Sequence, residues 1–150
     1  MHFKEAVRAT EGLQQAYRSG LRALAKPDRR RIECRRPRDL TGSVHLDEAL
    51  VHSHTDDPRW DYAIGKRESQ EDDRVVWVEV HPASSRHIRD VFDKLAWLKQ
   101  WLASSARLLQ QMPAEYVWVA SGRVDLPPNS PQRRRVAAQG IRFVGERLCL

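Results

Sequence analysis

Two short apolar segments carry the side chains of this sequence best suited to chemistry. Trp60-Asp61-Tyr62-Ala63-Ile64-Gly65 opens with a carboxylate. Val75-Val76-Trp77-Val78-Glu79-Val80-His81-Pro82 carries a carboxylate and an imidazole. Alternate residues of a strand share a face, so Glu79 and His81 project together, opposite Val76, Val78 and Val80. If the segments pair as a hairpin, Asp61, Glu79 and His81 converge. Such a trio can hold a divalent cation, which can activate water for hydrolysis. Glu79 needs the most explanation, because a carboxylate within an apolar strand costs free energy unless it is paired or metal-bound. The structural alternative for it is an ion pair with an Arg, for Asp61 a turn cap, and for His81 a strand end before Pro82.

The elements that must position these groups follow from periodicity. Phe3, Val7, Thr10, Gln14, Tyr17, Leu21 and Leu24 recur at helical spacing, which predicts a helix from about Phe3 to Ala25, ended by Pro27-Asp28. Arg31–Arg35 is a weak strand. Within Thr41–Leu50, Val44 and Leu46 alternate with His45 and Asp47 as in a half-buried strand, which makes Asp47 a further candidate acid. Trp60–Lys66 and Val75–Val80 read as strands joined by the charged turn Arg67–Arg74, a β-hairpin. A long helix is expected over roughly Ser85–Gln111, with the stripe Ile88, Val91, Phe92, Leu95, Leu98, Leu102 and Leu109 widened by Trp97, Trp101 and Leu108. Tyr116–Ala120 reads as a strand cut by Ser121-Gly122, Gln132–Gln139 as a short helix, and Ile141–Val144 as a last strand before the tail Leu148–Leu150. This order implies one α/β domain over residues 1–150, with a mixed sheet covered by helices. His52-Ser53-His54-Thr55-Asp56-Asp57 matches the start of an HxHxDH zinc motif, but Asp57 stands where the final His belongs, and the segment reads as a polar loop.

With 31% charged and 41% hydrophobic residues, the chain has the composition of a soluble globule. No apolar run reaches the ~18 residues of a membrane span. The charged N-terminal residues do not read as a signal peptide, so a cytoplasmic protein is expected. Cys34 and Cys149 are too few and too poorly placed for a zinc site. The net charge is +6, with basic runs at Arg29, Arg30, Arg31, Arg35, Arg36 and Arg38 and at Arg133, Arg134 and Arg135. Arg pairs with phosphate in a bidentate way, so the first run is the candidate nucleic-acid contact. Solvated faces are the plainer reading of the same runs.

The order helix, β-meander, helix, strand, with an acid opening the second strand and another late in the third, resembles the PD-(D/E)XK nuclease superfamily, over roughly Phe3 to Phe143. The resemblance implies a restriction-endonuclease-like mixed sheet flanked by helices, in α-β-β-β-α-β-α-β order. It carries the motif Asp onto Asp61 and the motif (D/E) onto Glu79, while the motif Lys falls on His81. Trp60 replaces the Pro that usually precedes the Asp. Some subfamilies add a carboxylate from the first helix, which would match Glu11 or Glu5. The implied activity is Mg²⁺- or Mn²⁺-dependent hydrolysis of DNA phosphodiesters, with Asp61 and Glu79 as metal ligands and His81 in the Lys role. His81 lacks the permanent charge and reach of Lys, and Lys66, Arg86 or His87 could supply the cation instead. The alternative is a catalytically inactive module of that fold that binds nucleic acid or a protein partner. A structural role is the third reading, with the Trp- and Leu-rich long helix contributing to a homodimer.

Overall fold

The structure, a computed structural model, describes residues Met1–Leu150. The apolar hairpin segments sit at its centre. β2 (Leu40–His45), β3 (Tyr62–Arg67) and β4 (Asp73–Ser84) form an antiparallel meander. α4 (Ile88–Ser105) crosses over to β5 (Ala114–Asp125), which runs parallel to β4, and β6 (Ile141–Phe143) adds a second parallel pair. The five-stranded mixed sheet has the order β2-β3-β4-β5-β6. Helices α1 (Phe3–Arg8), α4, α5 (Arg107–Gln110) and α6 (Pro131–Ala138) complete a mixed α/β fold with a five-stranded sheet flanked by helices.

The period-2 pattern of the strands divides the core between two faces. On one, Ala63, Val75, Trp77 and Trp118 pack with Phe3 and Val7 of α1 and with Ile88, Val91, Leu95 and Leu98 of α4. On the other, Tyr62, Ile64, Val76, Val78, Val117 and Val119 lie under Leu24, Ile32 and Leu148. The last two belong to β1 (Ile32–Glu33) and β7 (Leu148–Cys149), a parallel pair that joins the weak strand and the tail of the sequence. Glu79 is fully buried on the α4 face of this sheet.

Several elements depart from their periodicity. The expected first helix stops at Arg8. Thr10 returns its hydroxyl to the Ala6 carbonyl, and Gly12 turns the chain at φ 89. The segment beyond runs in i→i−3 turns (Leu13 to Thr10, Ala16 to Leu13) and docks on the edge of β2 through an Arg18–Ser43 bridge. The expected strand to Leu50 ends at His45, and Leu46–Ala49 is a helical turn, α3, so Asp47 is not a strand residue. A short α2 (Lys26–Arg29) follows Ala25. The long helix is interrupted at Ala106, with φ −139 and ψ 53. β5 runs through Ser121-Gly122, because β4 also extends to Ser84 and keeps pairing with it after a register shift between His81 and Ala83. That irregularity adjoins the candidate site, where bulges re-aim side chains.

Candidate active site

The antiparallel register sets Tyr62 opposite Val78. Continued by one residue, it sets Asp61 opposite Glu79 on the α4 face. Like charges directly opposite each other destabilise a strand pair, and two features hold this one. Each carboxylate accepts a hydrogen bond from the other strand's main chain: the Asp61 N–H donates to Glu79 Oε1 at 3.1 Å, and the Val80 N–H donates to Asp61 Oδ2 at 3.0 Å. A cation from α4 then bridges the pair. Lys94 Nζ is hydrogen-bonded to Glu79 Oε2 and lies 3.5 Å from Asp61 Oδ1. The main chain of Asp61 is fixed from its other side, its carbonyl accepting from the N–H groups of Leu46 and Asp47 at 2.8 and 3.3 Å.

Electrostatics follow from this burial. The Asp61 carboxyl is raised to about 7 by desolvation first and by the neighbouring Glu79 charge second, while Lys94 pulls it down. Burial alone would lower the Lys94 ammonium, but Glu79 and Asp61 more than offset it, and its pKa is raised. Glu79 has no exposed side-chain area, whereas Asp61 retains 16%. The carboxylate pair therefore opens outward through Asp61.

His81 continues the Glu79 face, as strand periodicity requires. Its Nδ1 is 3.3 Å from Glu79 Oε2 and its Nε2 is 3.8 Å from Asp90 Oδ2. The His81 ring meets His87 edge to face at 5.5 Å, and His87 Nδ1 is tied to Ser84 Oγ at 2.8 Å. Asp61, Glu79 and His81 are thus brought together as their spacing predicts.

The cation, however, comes from a residue the strand motif does not mark. Lys94 is three residues after Val91 and four before Leu98, both on the buried stripe of α4. Helical periodicity alone thus puts an ammonium on the apolar face, and that was the available signal. Among the other candidates, Lys66 pairs with Leu40 and Arg74 at the far end of the hairpin, Arg86 is exposed, and His87 is held by Ser84. Asp47 faces Arg59, whose Nε is 3.0 Å from its Oδ1. Glu5 is exposed beside the N-terminal ammonium, which bonds Asp72 in the β3–β4 turn, away from Asp61. Glu11 is exposed.

The basic run divides into two kinds. Arg29 donates to the Leu24 carbonyl and Arg31 to the carbonyls of Ala120 and Ser121, so both fasten the chain. Arg30, Arg35 and Arg36 are exposed. The His52–Asp57 loop docks on α4: Asp57 accepts from Trp97 Nε1 at 3.0 Å and pairs with His54 at 2.9 Å. Trp97 in turn stacks on Trp101. No helix is long and apolar enough to cross a membrane.

No protein-family model matches the chain, and no curated protein or solved structure is significantly similar to it.

Proposed function

We propose that the protein is a metal-dependent phosphodiester hydrolase acting on DNA, built on a restriction-endonuclease-like core. The observation that carries this reading is Lys94 set against both Asp61 and Glu79. Two acids on adjacent strands and one lysine are the functional groups that the PD-(D/E)XK resemblance requires, with the lysine supplied by α4 in place of His81. The antiparallel β2-β3-β4 meander, followed by α4 and the parallel β5, supports the same reading.

The donor set fits Mg²⁺ or Mn²⁺. Asp61 Oδ1 and Glu79 Oε2 are hard oxygens on facing carboxylates, and the only partner of Asp61 Oδ1 is Lys94 at 3.5 Å. The one imidazole beside them, His81, has its Nδ1 3.3 Å from Glu79 Oε2, so oxygen donors dominate the set. That suits an ion that keeps several waters and takes one or two carboxylates plus phosphate oxygens. Held by Asp61 and Glu79, the ion would polarise the scissile phosphate and lower the pKa of a water.

The remaining work falls to the chain's own groups. Lys94 is positioned to hold the attacking water and to face the negative charge that develops on the phosphate oxygens. Its place between Val91 and Leu98 on the buried stripe of α4 aims the ammonium at the sheet. The two main-chain hydrogen bonds hold the carboxylates in place before substrate arrives, so little reorganisation remains for the reaction. His81 contacts Glu79 Oε2 and acts as a positioning residue for that carboxylate.

The test is calorimetric titration of wild type and Glu79→Ala with Mn²⁺ and Mg²⁺, joined to a gel assay on supercoiled and branched DNA. The reading requires metal binding that Glu79→Ala abolishes and cleavage by wild type alone. Neither binding nor cleavage by wild type would leave the non-enzymatic nuclease-fold module in its place.

A further inference from the structure

The positive charge of the protein is concentrated in one segment. Between Arg18 and Arg38, nine cationic residues accompany only two carboxylates, Asp28 and Glu33, a net charge of +7. The whole chain carries +6, so everything outside this segment sums to −1. The segment covers the sheet face opposite α4, with Leu24 and Ile32 inserted into the core there. Its backbone is fastened by the Arg29 and Arg31 bonds to main-chain carbonyls and by the Tyr62 hydroxyl, which donates to Asp28 at 2.6 Å. Six of its cations, Arg22, Lys26, Arg30, Arg35, Arg36 and Arg38, are exposed and donate no side-chain hydrogen bond within the protein.

Four of them, Arg22, Arg30, Arg35 and Arg36, line surface grooves, each of which also carries one acid, Glu48, Glu146 or Asp39. Arg22 and Arg18 border a cavity of about 460 Å³ with His45. Arg30 faces Arg147 across a second, of about 390 Å³. Arg35 and Arg36 meet Lys66 at a third, of about 370 Å³. The first lies at the site end of the sheet, because His45 pairs with Tyr62, next to Asp61. The third lies at the other end of β3. The track between them is about 13 Å long at ~3.3 Å per strand residue, and duplex DNA presents a charge every ~1.7 Å of its axis.

We infer that the Arg18–Arg38 segment is a docking surface for the phosphate backbone of double-stranded nucleic acid, bound without reading its sequence. The inference rests on the nuclease-like reading for the identity of the polyanion and adds where it docks and in which form. Single strands are bound by basic grooves interleaved with aromatic stacking platforms, and the segment contains no Phe, Trp, Tyr or His. A membrane surface calls for an apolar anchor beside the cations. The exposed large hydrophobic residues are Met1 and Leu108, both outside the segment. What remains is phosphate contact by guanidinium groups on a rigid platform, which suits a duplex.

The experiment is fluorescence anisotropy on a random-sequence duplex in EDTA, where cleavage plays no part, with salt raised from about 50 to 200 mM. Six phosphate contacts give a slope of log Kobs against log salt near −5, a loss of about 10³-fold over that range. The triple variant Arg30→Ser, Arg35→Ser, Arg36→Ser should keep its circular dichroism and melting temperature and lose roughly three units of slope. The inference is overturned if wild type does not bind the duplex, if the folded triple variant keeps the wild-type slope, or if single strands or phosphatidylserine vesicles bind more tightly. Duplex binding that survives in Glu79→Gln, or in a wild type that cuts nothing, upholds this surface whatever becomes of the hydrolase reading.

Discussion

Lys94 and His81 bring nitrogens to the same oxygen of Glu79, Oε2, one from α4 and the other from two residues further along β4. Only Lys94 also reaches Asp61. The two are therefore not equivalent. Lys94 carries a fixed positive charge between both carboxylates, and His81 orients one of them. On the hydrolase reading proposed above, Lys94→Ala should lower DNA cleavage by about 10²- to 10³-fold, the effect of removing one preorganised electrostatic group, and His81→Ala by less. Because the strand position of His81 aims at the same oxygen, His81→Lys in the Lys94→Ala background should restore part of the lost rate. Single-turnover cleavage measured in Mn²⁺ distinguishes these outcomes. Equal losses in the two single variants would mean that the nitrogens share one task.

Asp61 gives the protein a pH dependence of unusual sign for a carboxylate. Its folded-state pKa is about 7, against an ordinary 3.8, chiefly through burial and then through Glu79. The folded protein therefore binds this proton more tightly than the unfolded chain does. Stability from this group is complete below about pH 4 and declines as pH rises through 7, by about 4 kcal/mol at most. Asp61→Asn cannot ionise. Its stability relative to wild type should rise between about pH 4 and 7 and level off above that in urea titrations. A difference that is flat with pH would mean that the Lys94 attraction keeps Asp61 ionised throughout.

The hairpin and α4 were legible because their burial follows one period each. Glu79 and His81 fall on the α4 face through the same alternation that buries Val76 and Val78 on the other. Lys94 was harder to see, since a strand motif looks for its cation at a fixed distance along the chain, whereas the site needs one at a fixed place in space. The first segment misled for another reason. Its apolar residues repeat at helical spacing, yet Gly12 and Gly20 adopt positive φ and the chain leaves the helix to cover the edge of β2. Periodicity reports which residues are buried and does not fix the backbone that buries them. The tail Leu148–Leu150 was illegible for want of a local partner, because its pairing with Ile32 spans almost the whole chain.

The way that first segment closes on β2 yields a stability prediction at Gly42. Its φ is 136, and a Cβ there would lie 2.2 Å from Tyr17 Cε2. The Tyr17 hydroxyl also donates to the Thr41 carbonyl at 2.7 Å, so the ring cannot swing away without losing that bond. Gly42→Ala should cost about 3 kcal/mol, from overpacking and backbone strain together. In a Tyr17→Ala background the cost should fall by about 1 kcal/mol or more, leaving the backbone component. Gly122→Ala is the control. A Cβ there meets nothing within 4 Å and its φ is not positive, so it should be neutral or slightly stabilising. Chemical denaturation of the four variants measures all of these terms.

The loop before Asp61 rests on α4 through a single side-chain hydrogen bond, Trp97 Nε1 to Asp57 Oδ2, reinforced by the edge of the His54 ring on Trp97 at 5.8 Å. Arg59 closes the same loop by donating to the His54 and Thr55 carbonyls and pairing with Asp47. The hydrogen bonds from His54 and Trp97 hold the Asp57 carboxyl below its ordinary value, so this latch is present near neutrality and is lost as acid protonates Asp57. Trp97→Phe keeps an aromatic ring against Trp101 and removes the donor. Amide exchange of residues 52–57 should then accelerate several-fold, while the core strands β3 and β4 keep wild-type protection, since the loop adds few buried apolar contacts. Lowering the pH of wild type below the Asp57 pKa should reproduce the same local pattern. If Trp97→Phe instead loosens β3 along with the loop, the latch holds Asp61 in place, and cleavage should fall in step with it.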